Sequence, residues 1–378
     1  MSTAISDSEI LGLLSDLAAV PTAPLHEEAV ARIAARYAAG LGLSPRLDRY
    51  GNLIIAYHRG SPAHPVALVA HLDHPGFEIS DVGPGSHARA ILRGGMPAAC
   101  FTREVPVLVV TDRGTVPGVI TGATVEPGTG RVTALDLTCD APVAVGDFAV
   151  ADLPGLHRDG DELAMRAADD LAGTAVALSV LRAVVLREQP AHLYVLLTRA
   201  EEIGLIGAAL IAEQRILPAE TVVVSIECSR TLPGAELGKG PVIRVGDRSR
   251  SFHPEGEALL LAARDRLPLV PIQRQLMSGG TCEATAFARY GYRVTGVALP
   301  LENYHNVGLG NSVAPERIHW RDMVGAVALL DAAITVAGTP STPDSGRRTL
   351  EQRLEEHRAV LARTAERFVN EAVEPIDP

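Results

Sequence analysis

The sequence predicts an α/β fold in which a mostly parallel sheet lies between helices and is interrupted by a small inserted β-barrel domain. Apolar strand-like runs alternate with helical patterns before residue 76 and after residue 161. Such alternation is typical of a parallel sheet with helices on both faces. Residues 77–160 instead contain short alternating runs separated by Gly- and Pro-rich turns, without a helical pattern. Turns every ~8–12 residues favour a small barrel or a sandwich, and we expect the barrel.

Two helices and two central strands are predicted before the insert. Residues 8–14 and 26–37 repeat apolar side chains at helical spacing, and prolines lie between the two patterns. Residues 52–58 and 66–72 are apolar enough for strands in the middle of a sheet. The strands predicted within the insert are 87–92, 105–111, 115–120, 131–137 and 147–151.

After residue 160 the α/β pattern returns, with a strand-like run at 162–166. The predicted helices are 171–188, 204–215, 254–267, 281–290 and 315–336, and the predicted strands are 192–200, 221–227, 269–275 and 292–300. We therefore expect one α/β domain in two parts (1–76 and 161–337), an inserted domain (77–160), and a linker with a C-terminal helix (338–378). That helix is expected either to pack on a partner subunit or to cover its own domain.

Composition excludes several functional classes. The net charge is −11 and no Lys/Arg-rich run is present, which argues against nucleic-acid binding. No apolar stretch reaches the ~18 residues of a membrane span, and the acidic N-terminus is unlike a signal peptide, so we expect a cytoplasmic protein. The four scattered cysteines fit neither a zinc ribbon nor a disulfide framework. Cys228 is expected to be a buried packing residue.

Acidic side chains and histidines follow five apolar runs at the points where predicted strands end. In an open α/β sheet, ligands bind just outside the carboxyl ends of the strands. Imidazole and carboxylate groups that meet there form a hard, N/O-rich metal site. The sequence therefore predicts a metal centre. Its candidate residues are His71, Asp73, Asp169, Asp170, Glu201, Glu202, Glu227 and His305.

The spacing within these groups indicates a division of roles. Asp73 lies two residues after His71, on the same side of the strand, and could accept the second imidazole N–H. His74 has no carboxylate at that spacing and is expected to be structural. In the pair Asp169-Asp170, one carboxylate is enough to cap the following helix, and the other could bridge two cations.

The pair Glu201-Glu202 allows a similar division. Because neighbouring side chains point in different directions, one carboxylate could bind metal while the other acts as a general base. The alternative is that both acids only complement the N-terminus of a helix.

Six segments together resemble the tetrahedral aminopeptidase family, the glutamyl and deblocking aminopeptidases with two co-catalytic metals. The matching segments are 70–77, 168–173, 199–208, 238–244, 279–284 and 300–305. They occur in the order of the family and span residues 1–337, including the insert. The resemblance implies the fold of the di-zinc exopeptidases.

The resemblance also implies a ligand set. His71, Asp169 and Glu227 would hold one divalent ion, and Asp169, Glu202 and His305 the other. Asp169 would be the bridge, Glu201 the general base and Asp73 the residue that orients His71. Zinc is the expected metal, with cobalt or manganese as alternatives. Glu227 and Glu283 stand where the family usually has Asp, and Asn306 stands where Ser is usual.

The function implied is removal of N-terminal residues from short peptides by a water that two metals activate. A di-zinc deacylase or amidase acting on N-acyl amino acids is the alternative, which the longer side chain of Glu227 keeps open. A non-catalytic scaffold is a third, disfavoured by the intact acidic pair and both histidines. The resemblance further implies a homo-oligomer, with a dodecamer as one possible form. From the composition we expect neither nucleic acid nor membrane as a partner.

Overall fold

The computed structural model describes residues 6–60, 64–339 and 345–365. The described residues up to Thr339 form one compact unit, and those that follow form a second. The first unit contains all the strands of the described chain. In chain order they are β1 (Arg46–Leu47), β2 (Leu53–Arg59), β3 (Val66–His71), β4 (Gly76–Val82), β5 (His87–Arg93), β6 (Val105–Thr111), β7 (Gly114–Val125), β8 (Val132–Cys139), β9 (Phe148–Ala151), β10 (Leu156–Asp159), β11 (Glu162–Met165), β12 (Ala191–Thr198), β13 (Val222–Arg230), β14 (Val242–Asp247), β15 (Gln273–Met277), β16 (Arg293–Leu301) and β17 (Glu316–His319).

The helices of the first unit alternate with these strands before and after the segment that holds β4 to β9. They are α1 (Asp7–Ala18), α2 (Glu28–Gly40), α3 (Ala168–Leu186), α4 (Ile206–Glu213), α5 (Pro254–Arg264), α6 (Glu283–Arg289) and α7 (Trp320–Ala337).

An eight-stranded sheet in the order β1-β2-β12-β3-β13-β16-β14-β15 forms the centre of the first unit. Its four middle strands, β12, β3, β13 and β16, are parallel. β2 and β14 run antiparallel to their neighbours β12 and β16. The α/β fold with a largely parallel sheet is therefore confirmed.

Alternating side chains of β3 show why the sheet must be covered on both faces. All six residues of the strand are buried. Leu68 and Ala70 pack into an apolar cluster that includes α1, α2, α3, α5 and α7. Ala67 and Val69 pack into a second cluster with α4 and α6. Since successive side chains of a strand point to opposite faces, a strand without polar positions requires a helical layer on each side.

The strands β4, β5, β8, β7, β6 and β9 form a closed antiparallel barrel in that order. Its interior is filled by apolar side chains such as Phe77, Ile79, Val107 and Leu135. The inserted barrel is confirmed as a structural element. The exact division of the chain at residues 76–77 and 160–161 stays a prediction.

Three predictions about individual elements were wrong. The run at 162–166 forms β11, which belongs to a separate sheet of β10, β11 and β17 and not to the main sheet. The predicted helix 315–336 begins only at Trp320, because residues 316–319 pair with β11 as β17. The predicted strand 269–275 begins at Gln273, after Pro268 and Pro271, which lack the N–H that a ladder needs. β14 was not predicted.

The second unit contains α8 (Ser345–Ala365). The helix predicted from Thr349 to Val373 is thus described as far as Ala365, and residues 340–344 of the predicted linker lie outside the described residues. What α8 packs against stays a prediction. No helix in the described part of the chain is long and apolar enough to cross a membrane.

Candidate metal centre

Four parallel strands bring the candidate residues to one edge of the main sheet. β3 ends at His71, and the turn after β12 carries Glu201 and Glu202. Glu227 lies near the end of β13, and His305 follows β16 in a short 3₁₀ turn. Parallel strands end on the same side of a sheet, which is why residues so far apart in sequence meet.

Asp169 reaches this edge from the first turn of α3 and not from a strand of the main sheet. Asp169 and Asp170 have non-helical backbone angles, and the peptide bond between them is cis. The Oδ1 atom of Asp170 accepts the N–H of Gly173 at 3.2 Å. A Cβ at Gly173 would lie 2.3 Å from that oxygen, so only glycine fits there. Asp170 caps the helix, and the carboxylate of Asp169 is directed to the two histidines.

The two carboxylate oxygens of Asp169 face different histidines. Its Oδ1 atom lies 3.3 Å from Nε2 of His71, and its Oδ2 atom lies 3.9 Å from Nε2 of His305. Nε2 of His305 is also 3.2 Å from Oε2 of Glu202. Among the described residues, three groups of side chains each have their ligand atoms within 4.8 Å of one another. These groups are His71 with Asp169 and Glu227, Asp169 with Glu202 and His305, and His71 with Glu201 and Glu202.

Main-chain carbonyls orient both imidazoles. Nδ1 of His71 lies 3.0 Å from the carbonyl oxygen of Asp73, and Nδ1 of His305 lies 2.6 Å from that of Gly95 in the turn after β5. A carbonyl can only accept a hydrogen bond, so each Nδ1 carries the proton. In the neutral form of each imidazole the lone pair is therefore on Nε2, which faces Asp169.

The carboxylate of Asp73 lies elsewhere than the sequence analysis expected. It does not make the predicted hydrogen bond to His71, since Oδ1 lies 3.7 Å from Nδ1. Its two oxygens instead accept the backbone N–H groups of Glu201 and Glu202, each at 3.0 Å. These N–H groups belong to a turn, and both bonds are shorter than the contact with His71. Asp73 therefore holds the acidic pair.

Several buried polar atoms at this edge have no hydrogen-bond partner among the described residues. They are Nε2 of His71 and His305, Oδ1 of Asp169, Oε1 of Glu202 and Oε2 of Glu227. A buried polar atom without a partner is costly, and these five converge on the same space. Nitrogen and carboxylate oxygen donors suit zinc, cobalt and manganese ions. The residues present fit a site for divalent cations.

The electrostatics lead to the same conclusion. Burial raises the pKa of Glu227 well above its usual value, and the charge of Asp169 adds to this effect. Burial also raises the pKa of Glu201; His71 opposes the shift, while Glu227 and Glu202 increase it. Burial alone would lower the pKa of His305, but Glu202 raises it to about 9. Negative charge is thus in excess, and cations would relieve the repulsion.

A further buried carboxylate, that of Glu316, was not predicted from the sequence. Its Oε2 atom accepts the N–H of Asp169 at 2.9 Å, and its Oε1 atom accepts the N–H of His305 at 2.8 Å. One side chain thus fixes the backbone of two candidate ligands. Glu316 begins the unpredicted strand β17, so no strand-end pattern singled it out.

His74 and Cys228 have the structural roles that were expected. The ring nitrogens of His74 lie 2.6 Å from the carbonyl oxygen of Asp169 and 2.9 Å from Oδ1 of Asn306, so His74 has no free nitrogen for a metal. Cys228 is fully buried and donates to the carbonyl of Ala168. Burial raises the pKa of its thiol well above the usual value, which leaves it a poor nucleophile.

Comparison with known proteins identifies the family. A model of the M42 glutamyl aminopeptidase family matches residues 51–327, a range that includes all the candidate ligands. The chain belongs to the M42 glutamyl aminopeptidase family. This confirms the resemblance and the class of exopeptidase, and M42 peptidases depend on metal ions.

Individual relatives are distant. The glutamyl aminopeptidase of Lactococcus lactis subsp. cremoris (strain MG1363) is 23% identical over 275 residues, which cover 66% of this chain and 76% of that protein. A relative from Acetivibrio thermocellus is 28% identical over 182 residues, which cover 46% of this chain. The chain spans only about half of that relative, 52% of its length.

Solved structures share the fold. The TET1 peptidase of Pyrococcus horikoshii superposes with a TM-score of 0.72 at 24% identity, covering 86% of this chain and 99% of that one. An aminopeptidase from the archaeon Desulfurococcus kamchatkensis gives a TM-score of 0.73 at 24% identity, covering 87% and 95%. The barrel and the main sheet are thus an architecture common to these peptidases.

We predict that Glu316→Gln weakens metal binding without removing a ligand. An amide can accept only through its oxygen, so one of the N–H groups of Asp169 and His305 would face an NH₂ group. Replacing a residue that orients ligands typically lowers metal affinity by roughly 10–100-fold. Isothermal titration with Zn²⁺ measures this directly. Glu302→Gln, a change at a partly exposed position with a side chain 43% accessible, is the control, and equal affinities of the two variants would contradict the role assigned to Glu316.

Proposed function

We propose that this protein is a two-metal aminopeptidase that removes N-terminal residues from short peptides. The observation that carries the proposal is the position of Asp169 between His71 and His305, with one carboxylate oxygen directed to each imidazole. A carboxylate that bridges two divalent ions requires this arrangement. Membership of the M42 family supports the peptide substrate.

The ligand sets proposed are those implied by the resemblance. His71, Asp169 and Glu227 hold one ion, and Asp169, Glu202 and His305 hold the other. Both sets lie within the groups of close ligand atoms. Zinc is the proposed metal, with cobalt or manganese as substitutes, because the donors are imidazole nitrogen and carboxylate oxygen.

Glu201 is the proposed general base. It belongs to neither proposed ligand set, and its side chain is 10% exposed with Oε2 4.0 Å from Nε2 of His71. When bound, the two ions supply the positive charge that acidifies a water molecule and polarises the scissile carbonyl. Glu201 accepts the proton of the attacking water and returns it to the amine that leaves. Asp73 holds the backbone of Glu201 so that its carboxylate faces the site.

A small cavity beside Glu227 is the proposed pocket for the side chain of the N-terminal residue. Its volume is about 90 Å³, and Arg230, Leu232, Arg244 and Met277 are among the residues that line it. Arg244 is 2% exposed; its Nη1 atom donates to Ser229 Oγ at 3.1 Å, and its Nε atom has no partner among the described residues. A buried guanidinium with a free donor suits a carboxylate. We propose a preference for acidic N-terminal residues, which the glutamyl aminopeptidase relative also supports.

We also propose that the chain forms a homo-oligomer in the cytoplasm. One related TET1 peptidase was solved as a dodecamer, and the enzyme from Pyrococcus horikoshii can form a tetrahedron or a large octahedral shell. A dodecamer is therefore one candidate form for this protein. The cytoplasmic location is an inference from the sequence alone.

Substitution of each acid separately distinguishes the roles of Glu201 and Glu202. Glu201→Gln cannot accept a proton, and we expect turnover to fall by roughly 10²–10⁴-fold while both metals stay bound. Glu202→Gln replaces a charged ligand oxygen by an amide, so we expect one metal to be lost and partly restored by excess metal. Turnover and metal content of the two variants, measured side by side, test both roles. Loss of metal from Glu201→Gln with retention in Glu202→Gln would reverse the assignment.

A panel of substrates separates peptidase from deacylase activity. A panel of aminoacyl amides, short peptides and N-acyl amino acids should show hydrolysis of the substrates with a free α-amine. Hydrolysis of the N-acyl compounds alone would favour the di-zinc deacylase. The alternative in which Glu201 and Glu202 only complement a helix N-terminus is not supported, because both residues precede α4 and the first turn of that helix has no acidic residue.

Substitution of Arg244 tests the proposed preference for acidic N-terminal residues. Arg244→Met keeps the volume of the side chain but removes its charge, and hydrogen bonds to charged groups contribute about 1.5–3 kcal/mol. We therefore expect kcat/KM for a glutamyl substrate to fall by roughly 10–100-fold relative to a leucyl substrate. Arg248→Met, at an exposed position, is the control. An unchanged ratio of the two substrates would show that Arg244 does not select the side chain.

A further inference from the structure

Four consecutive backbone N–H groups lead into the acidic pair, and each donates to a side chain from a distant segment. We call residues 199–202 the Glu201 turn. The bonds run from Arg199 N to Asn52 Oδ1, from Ala200 N to Glu27 Oε1, from Glu201 N to Asp73 Oδ1 and from Glu202 N to Asp73 Oδ2, each at 3.0 Å. Backbone N–H groups of a turn are ordinarily bound by water or by nearby main chain. Here three side chains fix the whole turn.

The conformation of the turn explains why it needs such support. Ala200 has a φ of 55°, in the left-handed region that residues other than glycine seldom adopt. A residue persists in this region only where the surrounding structure determines it. Ala200 immediately precedes Glu201, so its conformation sets the direction in which the carboxylate of Glu201 leaves the main chain.

Glu27 makes the contact that holds Ala200. Its side chain is fully buried, with 0% exposure. It occupies the N-cap position of α2 but makes no capping hydrogen bond to that helix, although capping is the usual role of a polar side chain there. Oε1 instead accepts the N–H of Ala200 and that of Leu25 at 2.8 Å, and Oε2 accepts Nε of Arg199 at 2.7 Å.

Arg199 extends the contact to the other side of the turn. Its Nη1 atom donates to the carbonyl of Tyr50 at 2.9 Å, and its Nη2 atom donates to the carbonyl of Leu25 at 3.1 Å. The guanidinium lies against Gly51, where a Cβ would come within 2.8 Å of Nη1. The main chain of Leu25, Tyr50 and Gly51 thus contacts the guanidinium that pairs with the buried Glu27.

We propose that Glu27 is a positioning residue for Glu201, acting through Ala200 and Arg199. A buried ion pair is weak evidence for a contribution to stability, and Glu27 has been turned away from the helix it could stabilise. Besides the N–H of Leu25, it binds Arg199 and Ala200, and Ala200 is the residue that immediately precedes the proposed general base. The inference rests on the proposed function, because it assigns Glu27 to the same hydrolytic step. Glu27 itself lies before residue 51, where the match to the family begins.

The test compares Glu27→Gln with Glu28→Gln in the metal-loaded, full-length enzyme. Glu28 is the matched control: it is the next residue, its carboxylate lies 3.9 Å from the same Arg199, and its side chain is 63% exposed. In Glu27→Gln the amide nitrogen would face Nε of Arg199, and two donors repel. Because displacement of a catalytic group by about 1 Å can cost 10²-fold, we expect kcat to fall by roughly 10–100-fold with KM within about twofold.

Two readouts separate positioning from a purely structural role. Metal content should stay at the wild-type value, and amide exchange should become faster in a peptide covering 199–205 but not in peptides from the barrel. The exchange measurement does not depend on activity, so it tests the contact even if the enzyme hydrolyses no peptide. Arg199→Gln, at a position with a side chain 27% exposed, serves if Glu27→Gln does not fold, and it should reduce kcat and protection in the same way.

Other results would overturn the proposal. One such result is that Glu27→Gln has the same kcat and the same amide exchange as Glu28→Gln. Another is that Glu27→Gln loses activity only because it loses metal. Faster exchange across the whole chain would instead identify a general stabilising role. The double variant, Glu27→Gln with Arg199→Gln, should lose about as much kcat as either single variant, because the two residues act together. A loss equal to the product of the two single losses would show that they act independently.

Discussion

Repulsion between buried carboxylates is the constraint on which the site depends. Asp169, Glu202 and Glu227 lie around two imidazoles at the carboxyl edge of the sheet, with little access to solvent. Asp170, Glu283 and Glu316 are buried close by. Such groups lose hydration and repel one another, which is why burial and neighbouring charges raise the pKa values of Glu201 and Glu227. Divalent cations between Asp169 and the histidines would balance this charge, and a fold that gathers these groups is suited to binding them.

The supporting contacts act mainly through the backbone. Glu316 binds the N–H groups of Asp169 and His305, and Asp73 binds those of Glu201 and Glu202. Carbonyls of Asp73 and Gly95 fix the two imidazoles. A side chain that holds a backbone determines where the next side chain points, and it leaves the ligand's own atoms free. The barrel participates in this arrangement, because Gly95 follows one of its strands.

The candidate ligands could be predicted from the sequence, but most of the residues that hold them in place could not. His71 and Glu227 lie near the ends of apolar strands of the main sheet, and Glu202 follows such a strand. Because parallel strands end at the same edge of a sheet, these residues were expected to meet. Asp169 was predicted because it follows the strand-like run 162–166, but that reason was partly wrong. The run forms β11 of another sheet, and the first turn of α3 places the Asp169 carboxylate at the site. Glu316 and Glu27 have no such pattern around them. Glu316 binds Asp169 and Glu27 binds Ala200 across more than a hundred residues of sequence, so only the tertiary structure shows these contacts. Asp73 was predicted to belong to the site, but its hydrogen-bond partner was not. Residue spacing cannot show whether its carboxylate binds the nearby His71 or the two N–H groups of a distant turn.

Anomalous diffraction at the zinc edge, on crystals grown with Zn²⁺, tests whether Asp169 bridges two metal ions. We expect two strong peaks, one on each side of the Asp169 carboxylate, with His71 and Glu227 around the first and Glu202 and His305 around the second. Glu201 should contact neither peak. A single peak, or peaks at which Asp169 is not shared, would contradict the proposed two-metal centre.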